Sequence, residues 1–387
     1  MKKTLIALGL AGASTAAFAQ STVTMFGIID EGLQYSSNFG GKSQLGMDAL
    51  SGPLGSRWGL QGSEDLGGGT KAIFMLEGGI NLNNGGLGQG GLLFGRQAFV
   101  GLSSNTYGTV TAGRQYDAIG DLTLVFGPQS PWGTSAGHVG DIDGMIRSTR
   151  NNNMIKYQSP NWNGLSVDVT GTLGGVAGDF SRASAYSISA LYKNAAYSFG
   201  VGYALTKNPS DKGAPFNSGG NAVTPDQTHN FFGLNSGYMA GSAPANSWQD
   251  IVVGGSYLYG NWGFAANWTN VRYGNIGQLG GESATFNTLD FSAKYNFTPF
   301  DMVSVAYHYT KGNAVGANDL GNQHYNQFAA MYVRTISKRT QVYVEGIYQI
   351  ASGIDSTGHA ARADIDSLGD SSGKNHVFAR LALRHFF

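Results

Sequence analysis

The side chains of this sequence that could do chemistry are charged groups, and the chemistry they could do is electrostatic. Four arginines and a weaker lysine candidate stand out: Arg57, Arg96, Arg114, Arg150 and Lys71. In residues 56–62, Trp58 and Leu60 fit the outward face of a strand, which turns Arg57 inward. A guanidinium group placed there either acts on passing ions or bonds the carbonyls of a neighbouring loop, and both interpretations remain open.

A long segment between these basic residues is acidic. Residues 116–149 carry Asp117, Asp121, Asp141 and Asp143, and a connection of this length without structure of its own usually has a function. If these carboxylates face the arginines, the two sides create a transverse field that orients dipolar solutes and weakly favours ions of one sign. Asp30 could add to the acidic side. Each of these aspartates could equally be a solvated loop carboxylate or a turn cap.

Enzymatic, metal and cofactor chemistry have little support in the sequence. There is no cysteine, and the histidines include no two at the i, i+4 spacing of metal ligands on a helix. Residues 52–55 lack the strand-to-helix setting of a nucleophile elbow, and residues 85–91 resemble a loop tip. Asp364, Asp366 and Asp370 could bind a divalent ion, although their spacing supports this weakly. We therefore expect no enzymatic activity, no cofactor and no resident metal.

The start of the chain predicts export. Residues 1–19 combine Lys2 and Lys3, an apolar stretch and a small-residue end, which is the pattern of a secretory signal peptide cleaved before Gln20. Removal of the two lysines leaves 22 basic against 24 acidic residues, a formal charge of about −2. This balance creates no field that would attract nucleic acid, so we expect no nucleic-acid partner.

The composition restricts how the exported chain could be stabilised. Only 12% of the residues are charged, about half the usual share, while 46 aromatic residues argue against disorder. No run of about eighteen apolar residues follows Ala19, so no transmembrane helix is expected. Without cysteine there are no disulfides, and stability must come from a backbone hydrogen-bond ladder.

Apolar and polar residues alternate with a period of two, which predicts strands with one lipid-facing and one wet face. In residues 289–297 the odd positions are Leu289, Phe291, Ala293, Tyr295 and Phe297, and the even positions are Asp290, Ser292, Lys294 and Asn296. At the end of the chain one face holds Val377, Ala379, Leu381, Leu383, His385 and Phe387. This pattern indicates a membrane barrel.

Short and long connections take turns along the chain, as in outer-membrane barrels with short periplasmic turns and long extracellular loops. Residues 275–283 are among the expected long loops. The segments pair into about sixteen strands, with the last, residues 375–387, closing on the first, residues 23–36. The fold class is therefore all-β, a 16-stranded antiparallel transmembrane β-barrel. Aromatic residues near strand ends are expected to form interfacial girdles: Trp162, Trp248, Trp262, Trp268, Tyr295, Phe297 and Tyr309.

Sequence blocks at both ends and in the middle of the chain carry a family resemblance. They are residues 21–27 (STVTMFG), 56–69 (SRWGLQGSEDLGGG), 95–102 (GRQAFVGL), 108–116 (GTVTAGRQY), 152–165 (NNMIKYQSPNWNGL) and 383–387 (LRHFF). Through them the chain resembles the general, non-specific porins of the Gram-negative outer membrane. The beta-proteobacterial branch of Neisseria, Bordetella and Burkholderia is the most similar.

The resemblance implies a homotrimer of sixteen-stranded barrels whose third long loop, residues 116–149, folds into the pore. It also implies that Arg57, Arg96 and Arg150 line the constriction, and that the ending with His385 and Phe387 is recognised by the barrel-assembly machinery. The acidic Pro-Glu-Phe-Gly-Gly motif often found in that loop appears here only as FGPQSPWG, residues 126–133. The acidic residues of the loop are therefore left unassigned by the resemblance.

We accordingly expect residues 20–387 to form one outer-membrane domain, a water-filled channel for passive diffusion of ions and small hydrophilic solutes. Its partners would be further copies in a homotrimer, outer-membrane lipid and lipopolysaccharide, and the assembly machinery. Glycines in the first strands suit a flatter wall where subunits approach: Gly27, Gly59, Gly78, Gly79 and Gly101. The alternatives are a substrate-specific porin for sugars or organic acids, a surface adhesin, and an outer-membrane enzyme.

Overall fold

Strands dominate this computed structural model, which describes residues 21–48, 54–128, 137–147, 150–211, 213–217, 238, 243–316, 319–365, 368 and 371–387. The strands are β1 (Thr22–Phe39), β2 (Lys42–Asp48), β3 (Arg57–Gly67), β4 (Thr70–Asn81), β5 (Gly86–Leu87), β6 (Gln97–Ser104), β7 (Gly108–Gln115), β8 (Asn151–Gln158), β9 (Leu165–Thr172), β10 (Ala185–Lys193), β11 (Tyr197–Lys207), β12 (Ala245–Tyr259), β13 (Trp262–Ile276), β14 (Glu282–Thr298), β15 (Asp301–Gly312), β16 (His324–Thr335), β17 (Thr340–Ser352) and β18 (Asn375–Phe386). One α-helix, α1 (Ala118–Phe126), follows β7. The predicted signal peptide and residues Asp366 and Asp370 lie outside the described residues.

Side-chain alternation gives each wall strand an apolar outer face and a small or polar inner face. In β14, Leu289 and Phe291 are exposed while Asp290 and Ser292 are buried inside. The last strand follows the same rule, because Leu381 and Leu383 are exposed on its outer face. An apolar outer face is what a strand in contact with lipid requires.

Sixteen of the strands form a closed antiparallel ring, which confirms the predicted fold class. Successive wall strands pair with one another, and β1 closes the ring by pairing with both β3 and β18. The two other strands belong to connections: β2 pairs with the second half of β1, and β5 pairs with the end of β4. At the seam, the backbone N–H and C=O of Gly27 each bond Phe387 at 3.1 Å. The seam therefore presents no unpaired edge to lipid at this point.

Tight turns and longer connections alternate around the ring. Gly68 and Gly69 join β3 to β4, whereas residues 116–150 separate β7 from β8. One connection is shorter than predicted, since only residues 277–281 lie between β13 and β14. The pairing of β13 with β14 shifts register near Ile276, next to Asn275, whose φ is 52°. This irregularity interrupts the period-two pattern, so the ends of the two strands could not be read from the sequence.

The helix α1 packs against the inner face of β10, β11 and β12. Its buried residues Ile119, Leu122 and Phe126 recur at helical spacing and form one apolar stripe. Glycines of the wall lie opposite this stripe. A β-carbon at Gly254 would lie 2.4 Å from Phe126 Cδ2, and one at Gly200 would lie 2.9 Å from Phe126 Cε1, so larger residues there would clash with the helix. The helix can approach the wall because these positions have no side chain. In the described part of the chain, no helix combines the length and hydropathy of a membrane span.

Trp248 was predicted to join an outer girdle, and this prediction is wrong. The side chain is 5% exposed, its indole N–H donates to the carbonyl of Ile142 at 3.0 Å, and its ring packs edge-on against Phe216. The alternation of β12 turns Trp248 to the interior together with Asp250 and Val252. A tryptophan near a strand end fits either face, so its position in the sequence could not decide between them.

Glycines of the first strands serve packing within the barrel. A β-carbon at Gly59 would meet the ring of Phe26, and one at Gly27 would meet the ring of Phe387. These two glycines therefore make room for aromatic rings of the same chain, and a link between the glycines of the first strands and subunit contact stays a prediction.

Replacing Gly254 with leucine should detach α1 from the wall, because Phe126 occupies the space the new side chain needs. Hydrogen–deuterium exchange of the detergent-folded protein should then speed up in residues 118–126 while the strands stay protected. Gly171→Leu is the matched control, since nothing lies within 4 Å of a β-carbon there. Unchanged exchange in Gly254→Leu would show that the helix does not depend on this contact.

Candidate functional site

Four guanidinium groups meet inside the barrel around one carboxylate and one phenol. We call this set the arginine cluster, and its members are Arg57, Arg96, Arg147, Arg150, Glu77 and Tyr116. The strands β3 and β4 supply Arg57 and Glu77, and Arg96 directly precedes β6. The other three lie on the connection between β7 and β8. Because these strands are neighbours in the ring, the cluster occupies one side of the interior.

Glu77 bridges two of the arginines. The register of the β3–β4 hairpin places it opposite Gly59, two residues from Arg57 on the same inward face. Its Oε1 lies 3.6 Å from Arg57 Nη1 and 3.3 Å from Arg96 Nε, and Gln97 Nε2 donates to its Oε2 at 2.9 Å. All four side chains are at least partly buried, so these ion pairs are less screened by salt than pairs on a surface.

Tyr116 joins Arg96 to the arginines of the long connection. Arg96 Nη2 and Arg150 Nη2 each donate to the Tyr116 hydroxyl at 2.9 Å. The guanidinium carbon of Arg147 lies 3.8 Å from the centroid of the tyrosine ring, a distance at which a cation is attracted to the ring face. Burial raises the pKa of Tyr116, but the cations of Arg150, Arg96 and Arg147 outweigh burial and lower the pKa to about 7.

Two of the predicted basic residues, Arg57 and Arg114, bond backbone carbonyls, as the alternative interpretation expected. Arg57 makes such a bond and also belongs to the cluster, because its Nε donates to Gly55 O at 3.0 Å while its Nη1 faces Glu77. Arg114 lies outside the cluster: its Nε donates to Gly95 O at 2.7 Å and its Nη1 donates to Asn152 Oδ1 at 2.6 Å. Arg114 therefore fixes the backbone beside the cluster.

Lys71 does not reach the cluster. It pairs in register with Asp65 next to the Gly68–Gly69 turn and is exposed. Six residues of extended strand separate it from Glu77, a distance of about 20 Å. Alternation places the two side chains on the same face, but Lys71 lies near the turn and Glu77 lies further along the barrel axis.

Asp117 and Asp121 lie at the start of α1. The carboxylate of Asp117 accepts the N–H of Gly120 at 2.8 Å, which caps the helix, and burial raises its pKa. Asp121 forms ion pairs with Lys156 on β8 and, at 3.4 Å, with Arg147. Of the four predicted loop carboxylates, Asp121 is the one in contact with the arginine cluster.

Asp143 lies on the opposite side of the ring, where it attaches the loop to the wall, and Asp141 bonds the backbone of the loop. Asp143 Oδ2 accepts the hydroxyl of Thr269 on β13 and lies 2.6 Å from His138 Nδ1. Asp141 Oδ1 accepts the N–H of Ile146 at 2.9 Å. Asp143 is thus held by His138 and by the wall behind the loop and does not face the arginines, whereas a role of Asp141 in the constriction stays a prediction.

The loop is fastened there by His138 as well. Its Nε2 lies 3.7 Å from the carboxylate of Asp290 on β14. Burial lowers the pKa of His138, but Asp143 and Asp290 outweigh it and raise the pKa to about 10. Burial raises the pKa of Asp143, and the imidazolium outweighs this and lowers it. No group of three His, Cys, Asp or Glu side chains in the described residues could hold a metal ion.

The remaining predicted residues lie at the seam of the barrel. Asp30 Oδ1 accepts Arg380 Nη2 at 3.0 Å and the Tyr343 hydroxyl at 2.7 Å, and the carboxylate is fully buried. Asp30 is therefore paired with an arginine of β18 and does not add to a separate acidic side. His385 Nδ1 lies 2.9 Å from Thr340 Oγ1, and Phe387 covers Gly27. A role of this ending in assembly stays a prediction.

Three members of the cluster were missed from the sequence: Glu77, Tyr116 and Arg147. Glu77 was detectable, because it is the one charged residue in 72–80 and a hairpin about the glycine turn places it beside Arg57. Tyr116 ends the block GTVTAGRQY and looked like an ordinary strand end. Arg147 carries no sequence signal, since its contact with Tyr116 depends on the folded path of the loop.

The chain is similar in sequence to a family of known proteins. A family model described as Gram-negative porin matches residues 4–350. An outer membrane porin protein of Bordetella pertussis is 38% identical over 226 residues, 54% of this chain and 54% of the relative. The major outer membrane protein P.IB of Neisseria meningitidis serogroup B is 32% identical over 201 residues, 51% of this chain and 57% of the relative. The chain thus spans about half the length of the curated relatives it matches.

Solved structures share the fold over nearly the whole chain. An anion-selective porin from Comamonas acidovorans matches with a TM-score of 0.72 at 22% identity, covering 95% of this chain and 100% of that chain. The outer membrane protein OmpT of Vibrio cholerae, in its trimer form, matches with a TM-score of 0.64 at 12% identity, covering 95% and 99%. At these identities the likeness establishes the fold alone.

The ion pair of His138 with Asp143 should be visible in the titration of the histidine. A folded pKa of about 10 against an ordinary 6.5 means that the pair stabilises the loop fully below pH 6.5. Its contribution is lost as the pH rises through about 10. Asp143→Asn should lower the pKa of His138 by about one pH unit or more. The measurement is NMR of ring-labelled histidine, with His138→Gln to assign the resonance and Asp179→Asn as control. A parent His138 that titrates near its ordinary pKa would contradict the ion pair.

Proposed function

This chain belongs to the Gram-negative porin family and is an outer-membrane β-barrel, and we propose that it forms a water-filled channel for passive diffusion of small hydrophilic solutes, with a preference for anions. The observation that carries the proposal is the arginine cluster inside the barrel. Glu77 is the one carboxylate within the cluster. The neighbouring Asp121 pairs with both Arg147 and Lys156, so the charge of Lys156 balances it and the cluster keeps a formal excess of three positive charges.

The distribution of acidic residues supports the same sign of selectivity. Asp143 is paired with His138 and Asp30 with Arg380, and neither faces the cluster. Asp121 is shared between Lys156 and Arg147. These three carboxylates are thus paired with cations, while the cluster keeps its excess charge in a partly dehydrated interior where fields are strong. The similar porin from Comamonas acidovorans is described as anion-selective, which agrees with this proposal.

Reversal potentials in a salt gradient across a planar bilayer test the proposed selectivity. Arg57→Ala, Arg96→Ala and Arg150→Ala should each move the channel toward cations, because each removes one positive charge from the cluster. Glu77→Gln should move it toward anions. We expect about a two- to fivefold change in the permeability ratio per charge.

Lys71→Ala is the matched control, since it removes a positive charge far from the cluster, and its permeability ratio should equal that of the parent. If the three arginine variants all kept the parent ratio, the proposed constriction would be wrong. Conductance that rises linearly with solute concentration is expected for passive diffusion, whereas saturation would favour a substrate-specific porin.

We also propose that the functional unit is a homotrimer in contact with outer-membrane lipid and lipopolysaccharide, assembled with the help of the barrel-assembly machinery. Glu31 supports subunit contact through β1. It lies midway along the strand on the outer face, between the exposed Ile29 and Leu33. A carboxylate at that depth is unfavourable against lipid, so contact with another protein surface would stabilise it. The similar OmpT structure is described as a trimer form.

Single-channel recordings test the trimer, because insertion of one unit should open three equal conductance steps. Native mass spectrometry of the detergent-solubilised protein should give the mass of three chains, and heat denaturation should convert it to one chain. Single steps from a protein that has the mass of one folded barrel would exclude the trimer.

A further inference from the structure

Tyr116 occupies an unusual chemical position within the arginine cluster. Its hydroxyl oxygen accepts hydrogen bonds from Arg96 and Arg150, both at 2.9 Å, and the side chain is 3% exposed. Guanidinium groups are donors only, so neither arginine can accept the proton of the hydroxyl. No acceptor for that proton is found among the described residues. An oxygen that accepts two charged donors and has no acceptor of its own suits the phenolate form.

The charges around Tyr116 come from every element that packs against it. The groups are Arg57 on β3, Glu77 on β4, Arg96 before β6, Arg114 on β7, Arg147 and Arg150 on the loop, and Asp117, Asp121 and Lys156 beside α1. Asp168 on β9 adds one further carboxylate next to Asp121. Guanidinium groups stack on the ring as well, at 3.8 Å for Arg147 and 4.9 Å for Arg150. Cations outnumber carboxylates in this set, and they surround the hydroxyl most closely.

We propose that Tyr116 is a selectivity-determining residue of the channel: its hydroxyl releases a proton to water, and the resulting phenolate becomes the second anion of the arginine cluster. The O–H bond breaks, its electron pair stays on oxygen, and the proton leaves to solvent. The inference rests on the proposed anion preference. The formal excess of the cluster falls from three positive charges to two, so the preference for anions weakens as the pH rises.

The pH range follows from the surroundings of the residue. Burial opposes ionisation, but the cations of Arg150, Arg96 and Arg147 outweigh burial and bring the pKa of Tyr116 to about 7. The hydroxyl is therefore protonated in acid, and ionises as the pH passes through neutrality. At an ordinary pKa of 10.0, the same residue would stay neutral under these conditions.

Ultraviolet absorbance tests ionisation without any reference to conduction. In detergent-folded protein, the parent should gain the tyrosinate band of about one residue around pH 7, well below the other tyrosines. Tyr116→Phe should lack this early step, and Tyr107→Phe, at an exposed turn, should retain it. A parent without a tyrosinate band below about pH 9 would overturn the proposal.

Reversal potentials between about pH 5 and about pH 9 test the effect on selectivity. The anion-to-cation permeability ratio of the parent should fall by about two- to fivefold across this range. Tyr116→Phe should keep the ratio of the acidic parent, and Tyr107→Phe should follow the parent. All three proteins share every other titratable group of the interior, so a fall in Tyr116→Phe as large as in the parent would overturn the proposal.

The two failures can be told apart. If the arginine variants have no effect on selectivity, the proposed constriction is wrong, and the absorbance of Tyr116 still reports whether the residue ionises. If the arginine variants change selectivity as expected but the anion-to-cation permeability ratio of the parent does not depend on pH, the proposed constriction is supported and the proposed role of Tyr116 is wrong. Should Tyr116→Phe fail to fold, the absorbance titration of the parent still shows whether a tyrosine ionises near neutrality, and a parent without that step overturns the proposal.

Discussion

Closure of the sheet is the constraint on which the rest of this structure depends. Strand backbone in lipid cannot bond water, so every N–H and C=O must be paired within the wall, and a closed ring meets this demand. The seam between β1 and β18 completes the ring, and the buried set of Asp30, Arg380 and Tyr343 lies across it. Breaking such a pair would cost about 3–5 kcal/mol, since one charge would remain buried without its partner.

Once the ring is closed, its inner surface determines where the long loop can lie. Glycines of β11 and β12 make room for α1, and each apolar side chain of the helix that becomes buried contributes about 1.5–3 kcal/mol. Further along, His138 and Asp143 fasten the loop to β13 and β14. Both attachments are on the side away from β3 and β4. The helix and the segment around His138 therefore fill one side of the interior, while the two ends of the loop, with Tyr116, Arg147 and Arg150, lie beside Arg57 and Arg96 on the other.

Like charges can gather on that side because the cluster contains its own counterions. Four guanidinium groups brought together in a partly dry interior repel one another, and Glu77 with the oxygen and ring of Tyr116 offsets part of this repulsion. The same contacts hold the loop ends beside β3 and β4, so the charge of the barrel interior and the position of the loop depend on the same side chains. Arg114 holds the backbone next to two members of the cluster, because it donates to the carbonyls of Gly95 and Arg150. Its removal would therefore disturb the positions of Arg96 and Arg150 without removing a charge of the cluster.

The sequence by itself determined the barrel, because period-two alternation and closing turns are local properties that each strand carries in its own residues. It also determined that Arg57 points inward, since Trp58 and Leu60 fit the apolar outer face of the strand. It could not place Lys71, Trp248, Asp141 or Asp143, because these depend on height along the axis and on which wall the loop meets. The tertiary structure alone decided that Arg147 stacks on Tyr116 and that Asp143 bonds the wall on the side away from the other arginines. Such contacts join residues that are distant in the chain, and they arise only when a closed wall forces a long loop inside.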